Sequence, residues 1–211
     1  MGKTSIDLRG RCGNLVFYRT KTGTRFRSVP LKSNFPDTPA QQAVRKRLQS
    51  ALRFYQRLKE TPLLEAWRVA AEGTTANRYT LFIKSNIDVF NEQTLADPAA
   101  LQLVQGTLPR LNCLEAERLE DGGVLLTWDN SLCEEHTALD DRLCVAALFE
   151  GRLYTPRLLE TDGARRRDRR ARVSLAGTEG GEAHLYAFFM APDGNAYSTS
   201  CYAHVAEEGG L

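Results

Sequence analysis

Residues 142–150 read RLCVAALFE, a short β-prone run that ends in the turn material EGR (150–152). Six further segments fit that description: LNCLEAERL (111–119), GVLLTWDNS (123–131), RLYTPRLLE (152–160), ARVSLAG (171–177), AHLYAFFMA (183–191) and AYSTSCYAHV (196–205). Between them stand EDGG (120–123), TDGARRRDR (161–169), TEGGE (178–182) and PDGN (192–195), rich in residues that turns select. Seven short strands at this spacing, in about 100 residues, predict a β-sandwich of immunoglobulin or fibronectin type that buries two inner faces against each other. Trp128 and Tyr186 are the expected core anchors.

Upstream the period changes. Residues 91–108 (NEQTLADPAALQLVQGTL) carry the breakers Pro98 and Gly106 and read as a connector. Before it, NFPDTPAQQAVRKRL (34–48) opens a helix: Thr38 is the cap, Pro39 takes the first helical position, and Gln41 completes a capping box. Val44, Leu48, Ala51, Leu52, Tyr55 and Leu58 then form an apolar stripe, with Lys46, Arg53 and Arg57 on the opposite face. A second helix is expected from Thr61 and Pro62 to Gly73 by the same cap logic, and a third from about Asn77 to Phe90. Tyr79, Phe82, Ile83, Ile87 and Phe90 share one side of that third helix, and Phe54, Trp67 and Tyr79 can meet in one small core. Earlier still, LVFYRTKTGTRFRSV (15–29) reads as a β-hairpin turning at Gly23. The expected class is therefore α+β: a hairpin and helical module over 1–95, a connector over 96–108 and a sandwich over 109–207.

Charge divides the chain the same way. Residues 1–95 hold 17 Lys and Arg against 7 Asp and Glu, net +10, whereas residues 96–211 hold 11 against 19, net −8. Residues 1–59 alone carry 14 cations against Asp7 and Asp37, net +12. Such asymmetry points to a polyanion partner for the first segment, or to attraction between the halves of this chain or of neighbouring copies. No window approaches the roughly 18 apolar residues of a membrane span, and MGKTSIDLRGRCGNL (1–15) has no apolar core of signal-peptide length, so a cytoplasmic or particle-associated location is expected, without membrane contact. Cys12, Cys113, Cys133, Cys144 and Cys201 are odd in number and contain no C-x-x-C pair, which fits reduced, mostly buried thiols.

The run GRCGNLVFYRTKTGTRFRSVP (10–30), followed by the T-P-A-Q-Q helix, EAW (65–67) and NRYTLFIKSN (77–86), resembles an uncharacterised family of proteins from gut bacteria and their phages and prophages. The resemblance is close over residues 10–90 and architectural over 110–205. It implies a sandwich-like second domain, no enzyme activity and a particle-associated or prophage-derived structural role.

Candidate sites follow from the cations. Arg19, Lys21, Arg25, Arg27 and Lys32 on the hairpin segment and Arg45, Lys46, Arg47, Arg53 and Arg57 on the first helix can contact phosphates, with Tyr18 or Phe26 available for stacking. The competing reading is a solvated helix face and an edge ribbon kept from aggregating by its charges. RRRDRRAR (165–172) places Arg165, Arg166, Arg167, Arg169 and Arg170 in a turn, where they should be exposed as a second polyanion or partner contact. Catalytic patterns are incomplete. GKTS (2–5) lacks the upstream glycine and strand of a phosphate-binding loop. Cys133, Glu134, Glu135 and His136 are adjacent and have no second ligand pair. His184 and His204 fall in strand patterns, and Asp140 and Asp141 read as turn formers. Neither a cofactor nor a metal is expected. The leading expectation is a non-enzymatic structural or interaction protein that docks on protein partners or on itself; the alternative is a DNA- or RNA-binding protein using hairpin and helix.

Overall fold

The computed structural model describes residues 2–4, 8–30, 37–130, 139–175 and 181–206. Strands β1 (Gly2–Thr4), β2 (Gly10–Cys12), β3 (Leu15–Thr20) and β4 (Gly23–Ser28) form an antiparallel sheet in the order β1-β4-β3-β2. The expected hairpin is β3-β4, and Gly23 enters β4 at φ +117°, a backbone region that side chains disfavour. The sheet is wider than a ribbon because residues 2–4 and 10–12 add one strand at each edge. Lys21, at the hairpin tip, donates to the carbonyls of Thr74 (3.3 Å) and Ala76 (2.6 Å). Thr24 is the one buried side chain of residues 8–30.

Helix α1 (Pro39–Leu58) begins with the expected capping box: Thr38 Oγ1 accepts from the Gln41 amide and Gln41 Oε1 from the Thr38 amide, both at 3.3 Å. Its apolar stripe is covered only in the C-terminal half. Ala51, Phe54, Tyr55 and Leu58 are buried, whereas Val44 is 63% and Leu48 39% exposed. Helix α2 (Leu63–Ala70) differs from expectation at its start, where Pro62 holds the cap position with no side-chain bond. Thr61 instead donates from Oγ1 to the Leu58 carbonyl at 2.8 Å, closing the end of α1. Helix α3 (Arg78–Asn86) is capped by Asn77, whose Oδ1 accepts from the Thr80 amide at 2.8 Å, and runs on as a 3-10 turn over Ile87–Val89. Phe82 joins the three helices: its ring lies 6.0 Å from that of Phe54 and 5.3 Å from that of Trp67.

Seven antiparallel strands follow: β5 (Asn112–Arg118), β6 (Gly123–Asp129), β7 (Arg142–Phe149), β8 (Arg157–Leu159), β9 (Arg170–Ser174), β10 (Ala183–Met190) and β11 (Cys201–Val205). They make two sheets, β5-β6-β9 and β11-β10-β7-β8. Alternate residues of both sheets meet in one core: Val124, Leu126, Trp128, Ala171 and Val173 against Leu143, Val145, Leu185, Ala187 and Phe189. The other face of the larger sheet, through Ala146, Leu148, Tyr186 and Phe188, carries the helices. Both expected anchors are thus buried, Trp128 between the sheets and Tyr186 under the helices.

The helices and the sheets share a core across the expected boundary, because residues 91–108 are packed between them. Leu95, Leu101, Leu103 and Val104 are buried with Trp67 and Tyr186. Trp67 donates its indole N–H to the Leu103 carbonyl at 2.9 Å, and Tyr186 its hydroxyl to the Pro98 carbonyl at 2.7 Å. Burial holds the Tyr186 phenol well above its ordinary pKa. Gly106 is required here, since a Cβ would lie 1.9 Å from the Tyr197 carbonyl oxygen, the atom that accepts from the Leu108 amide at 2.9 Å. Each large apolar side chain removed from water in this seam contributes about 1.5–3 kcal/mol.

Candidate functional site

The structure sorts the sequence's cations into three groups with different surroundings. On α1, four of the five candidates face carboxylates: Arg45 pairs with Asp37, Lys46 with Glu92 (3.1 Å), Arg47 with Asp88 (3.9 Å) and Arg57 with Glu60 (3.4 Å). These pairs are exposed, so each is worth little in stability. They nonetheless neutralise the helix face locally. Arg53 is exposed on the same helix, and Lys32 lies outside the described residues.

The second group is RRRDRRAR, where the expectation of exposed side chains fails at Arg166. A 3-10 turn over Arg166–Asp168 carries the Arg166 side chain into the end of the two-sheet core, leaving it 2% exposed beside Asp141 at 4%. Its guanidinium donates to Asp141 Oδ2 (3.2 Å) and to the Pro109 carbonyl (2.7 Å), and lies 3.8 Å over the Phe189 ring. The Arg166 carbonyl accepts from the indole N–H of Trp128 (3.0 Å) and from Asn130 Nδ2 (2.7 Å). Burial raises the Asp141 carboxyl above its ordinary pKa, with Arg166 pulling it back and Asp140 adding to the rise. Around this plug, Arg165 and Arg167 both reach Asp140, at 3.0 and 2.9 Å. Arg169 ends the turn in the left-handed region at φ +56°, and its carbonyl accepts from the Trp128 amide at 3.1 Å. Arg170 is exposed on β9. The loop is a structural closure of the core.

The third group lies on the N-terminal sheet. Arg25 donates from Nη2 to Thr22 Oγ1 at 3.1 Å, and Arg27 and Arg19 are exposed. Lys21 is committed to the two carbonyls of the α2–α3 loop. Arg11 also belongs to this group: it is exposed on β2 and donates from Nε to the Gly13 carbonyl at 3.0 Å. Sequence reasoning left Arg11 out because GRC is too short and too polar to read as a strand. A usable signal was the complete lack of Asp and Glu over residues 8–30.

Other chemistry-bearing groups are placed as follows. GKTS contributes Gly2–Thr4 to β1. His184 and His204 are directly paired across β10 and β11, with rings 5.6 Å apart. His184 Nδ1 bonds the Tyr202 hydroxyl at 2.9 Å, and His204 Nε2 lies 2.5 Å from Glu182. Among the described residues, no three His, Cys, Asp or Glu converge as metal ligands. Cys133, Glu134, Glu135 and His136 lie outside those residues. The thiols depart from the expected burial, with Cys12 and Cys113 exposed and Cys144 and Cys201 half-buried. Burial pushes the Cys144 thiol up to about 11 against a small opposing pull from Arg142. No helix of the described chain is long and apolar enough to cross a membrane.

Fold and surface together define an α+β protein with a basic, largely uncovered N-terminal sheet on a body of three helices and two further sheets. Neither a scan against protein-family models nor a search of curated proteins returns a match.

Proposed function

We propose that this chain is a non-enzymatic structural or interaction protein of phage or prophage origin. Its N-terminal sheet and the uncovered half of α1 act as a docking arm, and its two-sheet unit, a β-sandwich of fibronectin or immunoglobulin type, is the second interaction surface. The strand orders β5-β6-β9 and β11-β10-β7-β8 support that sandwich reading, because they follow A-B-E and G-F-C-C′ in immunoglobulin lettering.

The observation that carries the docking role is uncovered apolar surface. Register puts Cys12, Leu15, Phe17 and Phe26 on one face of the N-terminal sheet, where Leu15 is 38% exposed, and α1 leaves Val44 and Leu48 in solvent. The occupant this surface fits is a second copy of the chain. Residues 1–59 are strongly cationic, and the two-sheet unit presents exposed Glu115 and Glu117 on its edge strand β5. Contacts of opposite charge between arm and body would be heterologous and build rings or open assemblies.

Light scattering on the full chain across a concentration series tests this. Assembly should grow with concentration at low salt, weaken at high salt, and disappear in Leu15→Ser/Phe17→Ser. A monomer at every concentration in low salt overturns self-docking.

A further inference from the structure

Strand register gives the N-terminal sheet two chemically different faces. Directly paired residues share a face, and neighbours along a strand alternate. The pairs Leu15 with Ser28 and Phe17 with Phe26, together with Cys12 opposite Leu15, make the apolar face discussed above; Arg19, paired with Thr24, lies on it too. The pairs Val16 with Arg27 and Tyr18 with Arg25, together with Arg11 opposite Val16, make the other. Three guanidinium groups therefore flank Tyr18 and Val16 on a face to which residues 8–30 contribute no carboxylate.

We propose that this second face binds single-stranded nucleic acid, with Arg11, Arg25 and Arg27 on its phosphates and Tyr18 as a stacking platform for a base. The inference uses the same uncovered sheet as the docking arm but the opposite face, so either reading can fail alone. Arg25 and Arg27, two apart on one strand, stand about 7 Å from each other, and Arg11 lies two strand spacings, about 9–10 Å, from β4. Register sets Arg25 directly across from Tyr18, with Arg27 and Arg11 at neighbouring positions of the same face. Arg11 and Arg25 each use one donor on a neighbouring oxygen, which orients the guanidinium fork, and an arginine carries five such donors. A planar fork suits a phosphate oxygen pair, and an aromatic face accepts any base. Like charges gathered on one small face repel each other, and a polyanion relieves that repulsion. The helix offers no equal site, because Arg45, Lys46, Arg47 and Arg57 already face carboxylates. Lys21 is held by carbonyls and Arg19 is on the opposite face, so Arg25 and Arg27 are what the expected basic arm contributes to this site, and Arg11 joins them from β2.

Fluorescence anisotropy with the nuclease-treated full chain tests the site, using labelled oligothymidylate, oligouridylate, a duplex and heparin across a salt series. The chain should bind both single strands more tightly than the duplex. Arg25→Gln/Arg27→Gln should weaken binding at least about tenfold and flatten the plot of log K against log salt by about 1.4, or 0.7 for each lost contact. Tyr18→Leu should weaken it about tenfold without changing that slope. The charge-matched control Arg110→Gln/Arg152→Gln should stay within about twofold, since both arginines lie on the body. Leu15→Ser/Phe17→Ser should lose self-association and keep oligonucleotide binding. The proposal is overturned by no binding at low salt, or by Arg25→Gln/Arg27→Gln binding as the control does. Heparin binding as tightly as the oligonucleotides, with Tyr18→Leu neutral, would overturn the nucleic-acid assignment.

Discussion

In the loop at 165–172, Arg166 is sealed against Phe189 and paired with Asp141, while Arg165 and Arg167 converge on Asp140. On the N-terminal sheet, Arg11 and Arg27 are exposed and no acidic residue occurs between positions 8 and 30. In the denser of the two arginine clusters the charge is answered by carboxylates inside the chain. A cationic run becomes a candidate for binding only where folding fails to bring carboxylates to it, and that depends on distant residues. Asp141 lies 25 positions upstream of Arg166.

The largest effect that separates the two regions is on stability. Arg166→Ala should cost about 3–5 kcal/mol in urea unfolding, because it leaves Asp141 buried without its cation. Arg166→Met combined with Asp141→Leu should recover most of that loss, since no buried charge is then left unpaired. A loss below about 1 kcal/mol for Arg166→Ala would put this arginine among the ordinary surface cations and erase the contrast.

Alkaline titration sharpens the contrast between body and arm. The Cys144 thiol ionises at about 11 in the folded chain, against an ordinary value of 9.0, so the folded state holds its proton more tightly. Stability from this group is therefore intact below 9 and is lost as pH rises from 9 towards 11, by about 2–3 kcal/mol in all. Cys144→Ala should remove that component from the unfolding free energy measured across this range.

Smaller effects complete the series. Arg165→Gln/Arg167→Gln should cost less than about 1 kcal/mol, because its ion pairs to Asp140 are half in water. Arg25→Gln/Arg27→Gln should shift the unfolding midpoint by no more than about 0.5 kcal/mol while abolishing most oligonucleotide binding. A large destabilisation in that last variant would mean that the sheet arginines hold the fold together, as Arg166 does.

Features legible in the sequence are those written locally. The Thr38–Gln41 box and the Asn77 cap each involve residues three apart, and both form. The seven strands after residue 110 are separated by turn residues, and each predicted segment matches one, with β9 starting a residue early at Arg170, which the sequence pattern puts in the turn. Features that escaped depend on remote contact. Leu95, Leu101, Leu103 and Val104 follow no helical or strand period, so a buried strap reads as a linker. Val44 and Leu48 continue the α1 stripe faultlessly, yet periodicity does not say how far a neighbour extends along a helix. The two faces of the N-terminal sheet follow from register, which was out of reach until β2 was known to pair with β3.

The Gly106 crossing has a further consequence. With its backbone pressed against Tyr197, and with Leu103 and Val104 bonded through their amides to Ser200 Oγ, the strap ties the helices to the last strands of the chain. Neither part can be exchanged by recombination without exposing the core of the other. The N-terminal sheet is under no such constraint from the strap, whose contacts are with the helices and the sheets of the body.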